Sequence, residues 1–311
     1  MFLFFISISC WSCAQEPLSD TINHCLYSDT EPLQSHNILG SDNAMVQWQV
    51  MGPDYQHPHF NPNNLNEIAF QKSTEIWVLD MCTGNKQRIA ENIYTLYDWS
   101  KQGWLIFNTP SQDLYKVKPN GDSLTRLTTY GIYNTGAICN PTGDKYLYRK
   151  VTNDGTFGII ADINGRHLDT INRIPSASHW FEENRISYKY DSGIFIYDIA
   201  MDELEKIDNL PGNFLYLHTN SSFYLPTTNN LVWDARQYIF STNLATHERI
   251  IIKQGSTSQQ YNEFDIAPDH STIIVIRSDK SPTDTYIVEE RKHLCLMNID
   301  GSYERRILLD W

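Results

Sequence analysis

Apolar and polar residues alternate along most of this chain in short runs, cut by polar turns. No stretch carries the three-to-four-residue spacing of an amphipathic helix, so the pattern predicts strands. One hairpin recurs six times. An alternating strand enters a turn with Gly or a short polar residue, and a second, more polar strand leaves it. The copies are Ile76 to Asp80 with Thr83-Gly84-Asn85, Leu114 to Val117 with Asn120-Gly121-Asp122, and Gly158 to Ile163 with Asn164-Gly165-Arg166. They continue as Ile194 to Ile199 with Met201-Asp202-Glu203, Tyr238 to Thr242 with Ala245-Thr246-His247, and Leu294 to Ile299 with Asp300-Gly301-Ser302. Asn-Gly and Asp-Gly between alternating strands are strong hairpin signals, because left-handed turn angles match the twist of the flanking strands.

A second element precedes each hairpin: a strand, a tight polar turn often opened by Pro, and an apolar strand. Pro presets the backbone of a turn and cannot donate within a ladder. The copies start at His59-Phe60-Asn61-Pro62, Asp98-Trp99-Ser100, Cys139-Asn140-Pro141, His179-Trp180-Phe181, Tyr224-Leu225-Pro226 and Ile266-Ala267-Pro268. The two elements together make four strands per unit. The turns at 84, 121, 165, 202, 246 and 301 are 37, 44, 37, 44 and 55 residues apart. About 40 residues per four-stranded unit is the period of a propeller blade. The expected fold is therefore all-β, a six-bladed β-propeller of four-stranded antiparallel blades.

The elements His59-Phe60-Asn61-Pro62-Asn63-Asn64 to Ile68-Ala69-Phe70 and Asn140-Pro141-Thr142-Gly143-Asp144-Lys145-Tyr146 resemble the S-P-D-G-x-x-I-A-F core of TolB-like propeller repeats, also called WD40-like or PD40 repeats. Leu296-Met297-Asn298-Ile299-Asp300-Gly301-Ser302 resembles their hydrophobic-Asp-x-Asp-Gly hairpin. The resemblance spans roughly residues 55 to 311 and implies an exported bacterial propeller.

The N-terminus fits export. Phe2 to Ile8 is a short apolar run, far below the roughly 20 residues a spanning helix needs, and it reads as the core of a secretion signal. Ser12-Cys13 follows like a lipobox, which makes Cys13 the expected lipidation site. Cys10 and plain cleavage after Ala14 are the alternatives. This divides the chain into a signal segment (1–14), a polar linker (15–43) and the propeller (44–311). The alternating stretch Met45 to Val50 is a candidate for joining the last blade and closing the ring. The four remaining cysteines, Cys25, Cys82, Cys139 and Cys295, have no zinc or redox spacing and read as lone structural thiols.

Of 311 residues, 13% are aromatic and the net charge is −13. The aromatic content suits half-buried strands, and the charge repels phosphate backbones and anionic lipid. The densest positive stretches, Arg291-Lys292-His293 and Arg305-Arg306, are short and far apart in sequence, so no nucleic-acid partner is expected.

The chain carries no nucleophile elbow, HExxH, phosphate loop or dinucleotide fingerprint. The expected role is a non-catalytic envelope lipoprotein that binds a protein or glycan partner, touches membrane only through its anchor and needs no cofactor. A segment unique to the sixth repeat, Ser278 to Lys292, reads as a surface loop on a rigid scaffold, where binding concentrates. The linker around Ser256 to Tyr261 is expected on the same face, and Tyr261, Asp284, Tyr286 and Arg291 are the candidate binding residues of that face. The alternative is a propeller enzyme acting on polysaccharide as a lyase or hydrolase. His57, His59, His179 and His218 lie on or beside predicted innermost strands, so their imidazoles would reach the central channel as metal ligands. Some propeller lyases acting on oligogalacturonate hold a metal in that way.

Overall fold

The computed structural model describes residues 27–29, 47–50, 52–129, 133–171, 179–190, 193–209, 221–235, 237–256, 258–282, 287–307 and 309. Two short strands come first, β1 (Tyr27–Asp29) and β2 (Gln47–Val50). Blade 1 is β3 (Tyr55–Asn61), β4 (Asn64–Lys72), β5 (Glu75–Asp80) and β6 (Lys86–Glu91). Blade 2 is β7 (Thr95–Trp99), β8 (Leu105–Asn108), β9 (Leu114–Val117) and β10 (Thr125–Arg126). Blade 3 is β11 (Tyr133–Cys139), β12 (Lys145–Thr152), β13 (Gly155–Asp162) and β14 (His167–Ile171). Blade 4 is β15 (His179–Phe181), β16 (Arg185–Tyr190), β17 (Gly193–Asp198) and β18 (Glu203–Asn209). Blade 5 is β19 (Ser222–Leu225), β20 (Asn230–Ala235), β21 (Tyr238–Asn243) and β22 (Arg249–Gln254). Blade 6 is β23 (Gln259–Ile266), β24 (Thr272–Pro282), β25 (Ile287–Asn298) and β26 (Arg305–Ile307). Within each blade consecutive strands pair antiparallel, and no helix occurs among the described residues. The six-bladed propeller expected from the repeats is the observed fold.

The turn from third to fourth strand carries a left-handed residue in every blade: Gly84, Gly121, Gly165, Asp202, His247 and Gly301. In several blades the last residue of the third strand caps that turn. Asp80 Oδ1 accepts the N–H groups of Cys82 and Thr83, and Asp198 Oδ1 those of Ala200 and Met201. This Asx geometry is the physical basis of the recurrent strand-end Asp and Asn.

Both faces of each blade are covered, and the core is divided into six clusters, each between successive blades. Ile68 and Phe70 pack toward blade 6 with Ile274 and Leu294, while Ala69 and Ile76 of the same sheet pack toward blade 2 with Leu96 and Phe107. Strand alternation delivers this directly, since neighbouring residues face opposite sides.

Blade 6 departs from its siblings. β1 pairs with β26, and β2 pairs in parallel with the far end of β25, so the sheet has six strands. Of the segment Ser278 to Lys292, expected from sequence to be a surface loop, the described part, 278–282 and 287–292, is strand. It continues the β24–β25 ladder, with Ser278 opposite Lys292, Lys280 opposite Glu290 and Pro282 opposite Val288. Its alternation satisfies backbone groups by pairing, which a loop of that length could not do. A buried ionic cluster stands at its root. Arg277 bonds Asp279 (3.0 Å) and Glu304 (2.7 Å), Lys253 reaches Glu304 from blade 5 (2.9 Å), and His293 contacts Asp279 (3.2 Å).

Candidate functional site

The six innermost strands enclose a central channel of about 900 Å³. Strand register brings six residues to one level of its wall, each opposite the same position of its second strand. They are His59, Asp98, Ile138, His179, Phe223 and Asp265. An irregularity in the first strand of blades 1, 2, 3 and 6 precedes this level. Such bulges insert a residue and re-aim the side chains around them. In blade 3 the left-handed residue there is Gly136, with φ 66°, but in blades 1 and 6 it is His57 and Glu263, each with φ 48°. Non-glycine residues rarely hold that conformation, and such strain concentrates at functional sites. The two strained residues face each other: His57 N–H donates to Glu263 Oε2 at 2.7 Å, and its Nδ1 lies 3.6 Å from the same oxygen.

The channel wall has two characters. On blades 6, 1 and 2 it is polar. Asp265 Oδ1 accepts the N–H of Ile266, and Oδ2 accepts that of Phe60 on blade 1, both at 2.8 Å. Asp98 repeats the arrangement with Trp99 (2.7 Å) and, across to blade 3, Cys139 (2.6 Å). Each carboxylate thus ties its own strand to the next blade. Burial pushes the Asp265 carboxyl up to about 7, and it raises Asp98 as well. His59 stands between them with Nδ1 4.0 Å from Asp265, and its buried Nε2 has no hydrogen-bond partner. Burial, with a smaller contribution from His57, lowers its pKa to about 3, so its imidazole is neutral at physiological pH.

On blades 4 and 5 the wall is aromatic. His179 stacks on Phe223 with ring centroids 4.7 Å apart, and Phe181 stacks on Tyr224 at the same distance. His270 meets the edge of Phe223 at 5.9 Å. Burial lowers the His179 pKa to about 4.

The histidines expected to hold a metal are partly brought to the channel. His57, His59 and His179 all line it, but the first two sit on blade 1 and the third on blade 4, across the ring. Among the described residues no three His, Cys, Asp or Glu side chains are placed to bind a metal ion, and His218 lies outside them. Tyr261 is not a surface anchor. It is 1% exposed, packed in the core between blades 5 and 6, with its hydroxyl on Glu304 at 2.8 Å. It alternates inward on β23, a facing that the linker-like residues around it concealed. Arg291 is exposed, and Asp284, Tyr286 and Cys13 lie outside the described residues. Sequence reading passed over Asp98, Asp265, Glu263 and Phe223. The signal was there in the repeats: Asp98-Trp99 and Asp265-Ile266 align with His59-Phe60 one position before the turn-forming residues.

No protein-family profile matches the chain, and no curated protein sequence matches it. Solved structures do. An oligogalacturonate lyase from Vibrio parahaemolyticus is 11% identical over 86% of this chain and 80% of that one, with a TM-score of 0.50. An oligogalacturonate lyase in complex with manganese is 12% identical over 81% of this chain and 75% of that one, at 0.49. A TolB candidate from Agrobacterium tumefaciens is 9% identical over 82% and 81%, at 0.40. At these identities the likeness is one of fold, the six-bladed propeller.

Proposed function

We propose that this chain is a non-catalytic binding module of the cell envelope that receives a glycan in its central channel. The supporting observation is the two-sided wall. A sugar ring offers an apolar C–H face and a rim of hydroxyls. The stacked rings of His179, Phe223, Phe181 and Tyr224 suit the first, and Glu263, His57 and His59 suit the second. The absence of chemistry rests on Asp98 and Asp265. Both oxygens of each already accept backbone N–H groups, Oδ1 from its own strand and Oδ2 from the neighbouring blade, which is a structural task.

The test is binding of the purified chain to an oligosaccharide panel by calorimetry, with Phe223→Ala as the variant. Binding that weakens about tenfold or more in the variant supports the reading, that being the order of one lost aromatic contact. Retention of an envelope protein and no glycan would transfer the channel to a protein partner. Release of shortened products from a polysaccharide would favour the enzyme reading, for which the neutral His59 beside Asp265 is the relevant feature. Envelope attachment through Cys13 belongs to the same proposal. Cys13→Ser should move the protein from membrane to soluble fractions, because stable anchoring depends on the acyl chains. If Cys10→Ser releases it instead, the lipidated residue is Cys10.

A further inference from the structure

The two densest positive stretches of the chain, 291–293 and 305–306, meet in the fold. β25 runs through blade 6 with its outer edge covered in two places. β2 covers Ile287 to Glu290, and β26 covers Cys295 and Leu296. Between them, residues 291–294 have no strand partner on that edge among the described residues. The chain leaving β2, at Gly52 and Pro53, and the end of β26 wall the gap into a cleft of about 330 Å³. Arg291, Lys292, His293 and Arg306 line it.

The charges in this notch are not balanced internally. Lys292 is held by Asp54 at 2.6 Å, and His293 by Asp279 at 3.2 Å. Arg291 and Arg306 are exposed, and the side chain of neither makes an ion pair or hydrogen bond among the described residues. Two unpaired guanidinium groups on one small cleft repel each other, in a protein whose net charge is −13. A guanidinium presents a planar fork of donors that matches the oxygens of phosphate, and an unpaired strand edge offers backbone N–H groups to the same ligand.

We propose that this notch is a phosphate-binding site, with Arg291 and Arg306 as the two forks that clamp the group. It is separate from the channel, since its lining shares no residue with the channel wall. Its ligand is a phosphate group with two or more unesterified oxygens, whether free or carried on a lipid headgroup.

The test uses the full chain. Thermal unfolding is followed as sodium phosphate replaces sodium chloride at constant ionic strength, and sedimentation is measured with vesicles of phosphatidylcholine containing or lacking phosphatidic acid. Phosphate should raise the melting temperature by a few degrees once it is in about tenfold excess over its dissociation constant. Arg291→Ala with Arg306→Ala should abolish that rise, and Arg291→Lys alone should raise the dissociation constant for phosphate about tenfold by keeping the charge and losing the fork. A response to phosphatidic acid vesicles that is stronger than to free phosphate, and lost in the double variant, assigns the group to a lipid. No response of the wild-type chain to either form overturns the proposal, and so does an undiminished response in the double variant. If the double variant misfolds by near-ultraviolet circular dichroism, Arg291→Gln on its own carries the test, because that side chain is exposed and outside the core.

Discussion

Gly301 shows how much one position can decide. It holds φ +81°, and a Cβ added there would lie 2.1 Å from the carbonyl oxygen of Ile252 on the neighbouring blade. Gly121 occupies the equivalent turn of blade 2 with φ +86°, but its added Cβ would meet Ile89 O at an ordinary 3.6 Å. Gly121→Ala should therefore cost about 1 kcal/mol, the penalty of a left-handed alanine. Gly301→Ala should cost about 2–4 kcal/mol, because the backbone of a second blade must also move. Urea midpoints of the two variants measure the difference, and equal losses would mean that blades 5 and 6 are not pressed together at this turn. The channel residues titrate in opposing directions. Asp265 moves from an ordinary 3.8 to about 7, so the folded protein binds more protons in that window and the contribution to stability falls as pH rises through it. His59 and His179, lowered from 6.5 to about 3 and about 4, contribute stability that is lost as pH drops below about 6.5. Replacing Asp265 with Asn removes only the first slope. The stability difference, variant minus wild type, should become more favourable between about pH 4.5 and pH 7.5 in denaturant titrations. A difference that does not change with pH would place Asp265 in an ordinary carboxylate environment.

Among the elements, the extended β24–β25 hairpin carries the most unusual chemistry. Arg277 is buried at its root and is the cation that Asp279 and Glu304 share. Burial alone would raise both acids, yet His293 and Arg277 hold Asp279 below its usual range, and Lys253, Tyr261 and Arg277 do the same for Glu304. Their stabilising effect is therefore present at neutral pH and lost as pH falls through the depressed values. Arg277→Met should cost about 3–5 kcal/mol by leaving two buried carboxylates without their shared cation. The same substitution combined with Asp279→Leu and Glu304→Leu should recover most of that loss, since a buried ion cluster and a packed apolar one are often nearly equivalent. Chemical denaturation of the single and triple variants decides it, and a single variant as stable as wild type would show the cluster to be solvated. In sequence, Arg277, Asp279 and His293 alternate like any polar-faced strand. Nothing local indicates that this face is covered, because Glu304 and Lys253, which cover it, come from β22 and the turn before β26.

At the scale of the molecule, each blade shares its core with both neighbours, so no blade is an independent unit. Trp233 is fully buried in the cluster between blades 4 and 5. Trp233→Ala should cost about 3–5 kcal/mol and shift one cooperative transition, with tryptophan fluorescence and far-ultraviolet signals still coincident. Separate transitions would mean that blades 4 and 5 melt apart from the rest of the ring. What the sequence alone determined here is the local repeat. Alternation, Asx-capped turns and left-handed glycines are short-range physics, written within a few residues, and they were enough to count blades and to place His57, His59 and His179 on inner strands. The tertiary structure alone decided which of these residues meet. The facing of Glu263 and His57 depends on the closure of the ring, the aromatic stack of His179 on Phe223 and the burial of Tyr261 on the packing of consecutive blades, and the nearness of Arg291 to Arg306 on the pairing of β25 with β26. Closure pairs residues some 200 positions apart, as His57 and Glu263 are, and the energy of such a contact depends on three-dimensional register, which a local pattern of apolar and polar residues does not encode.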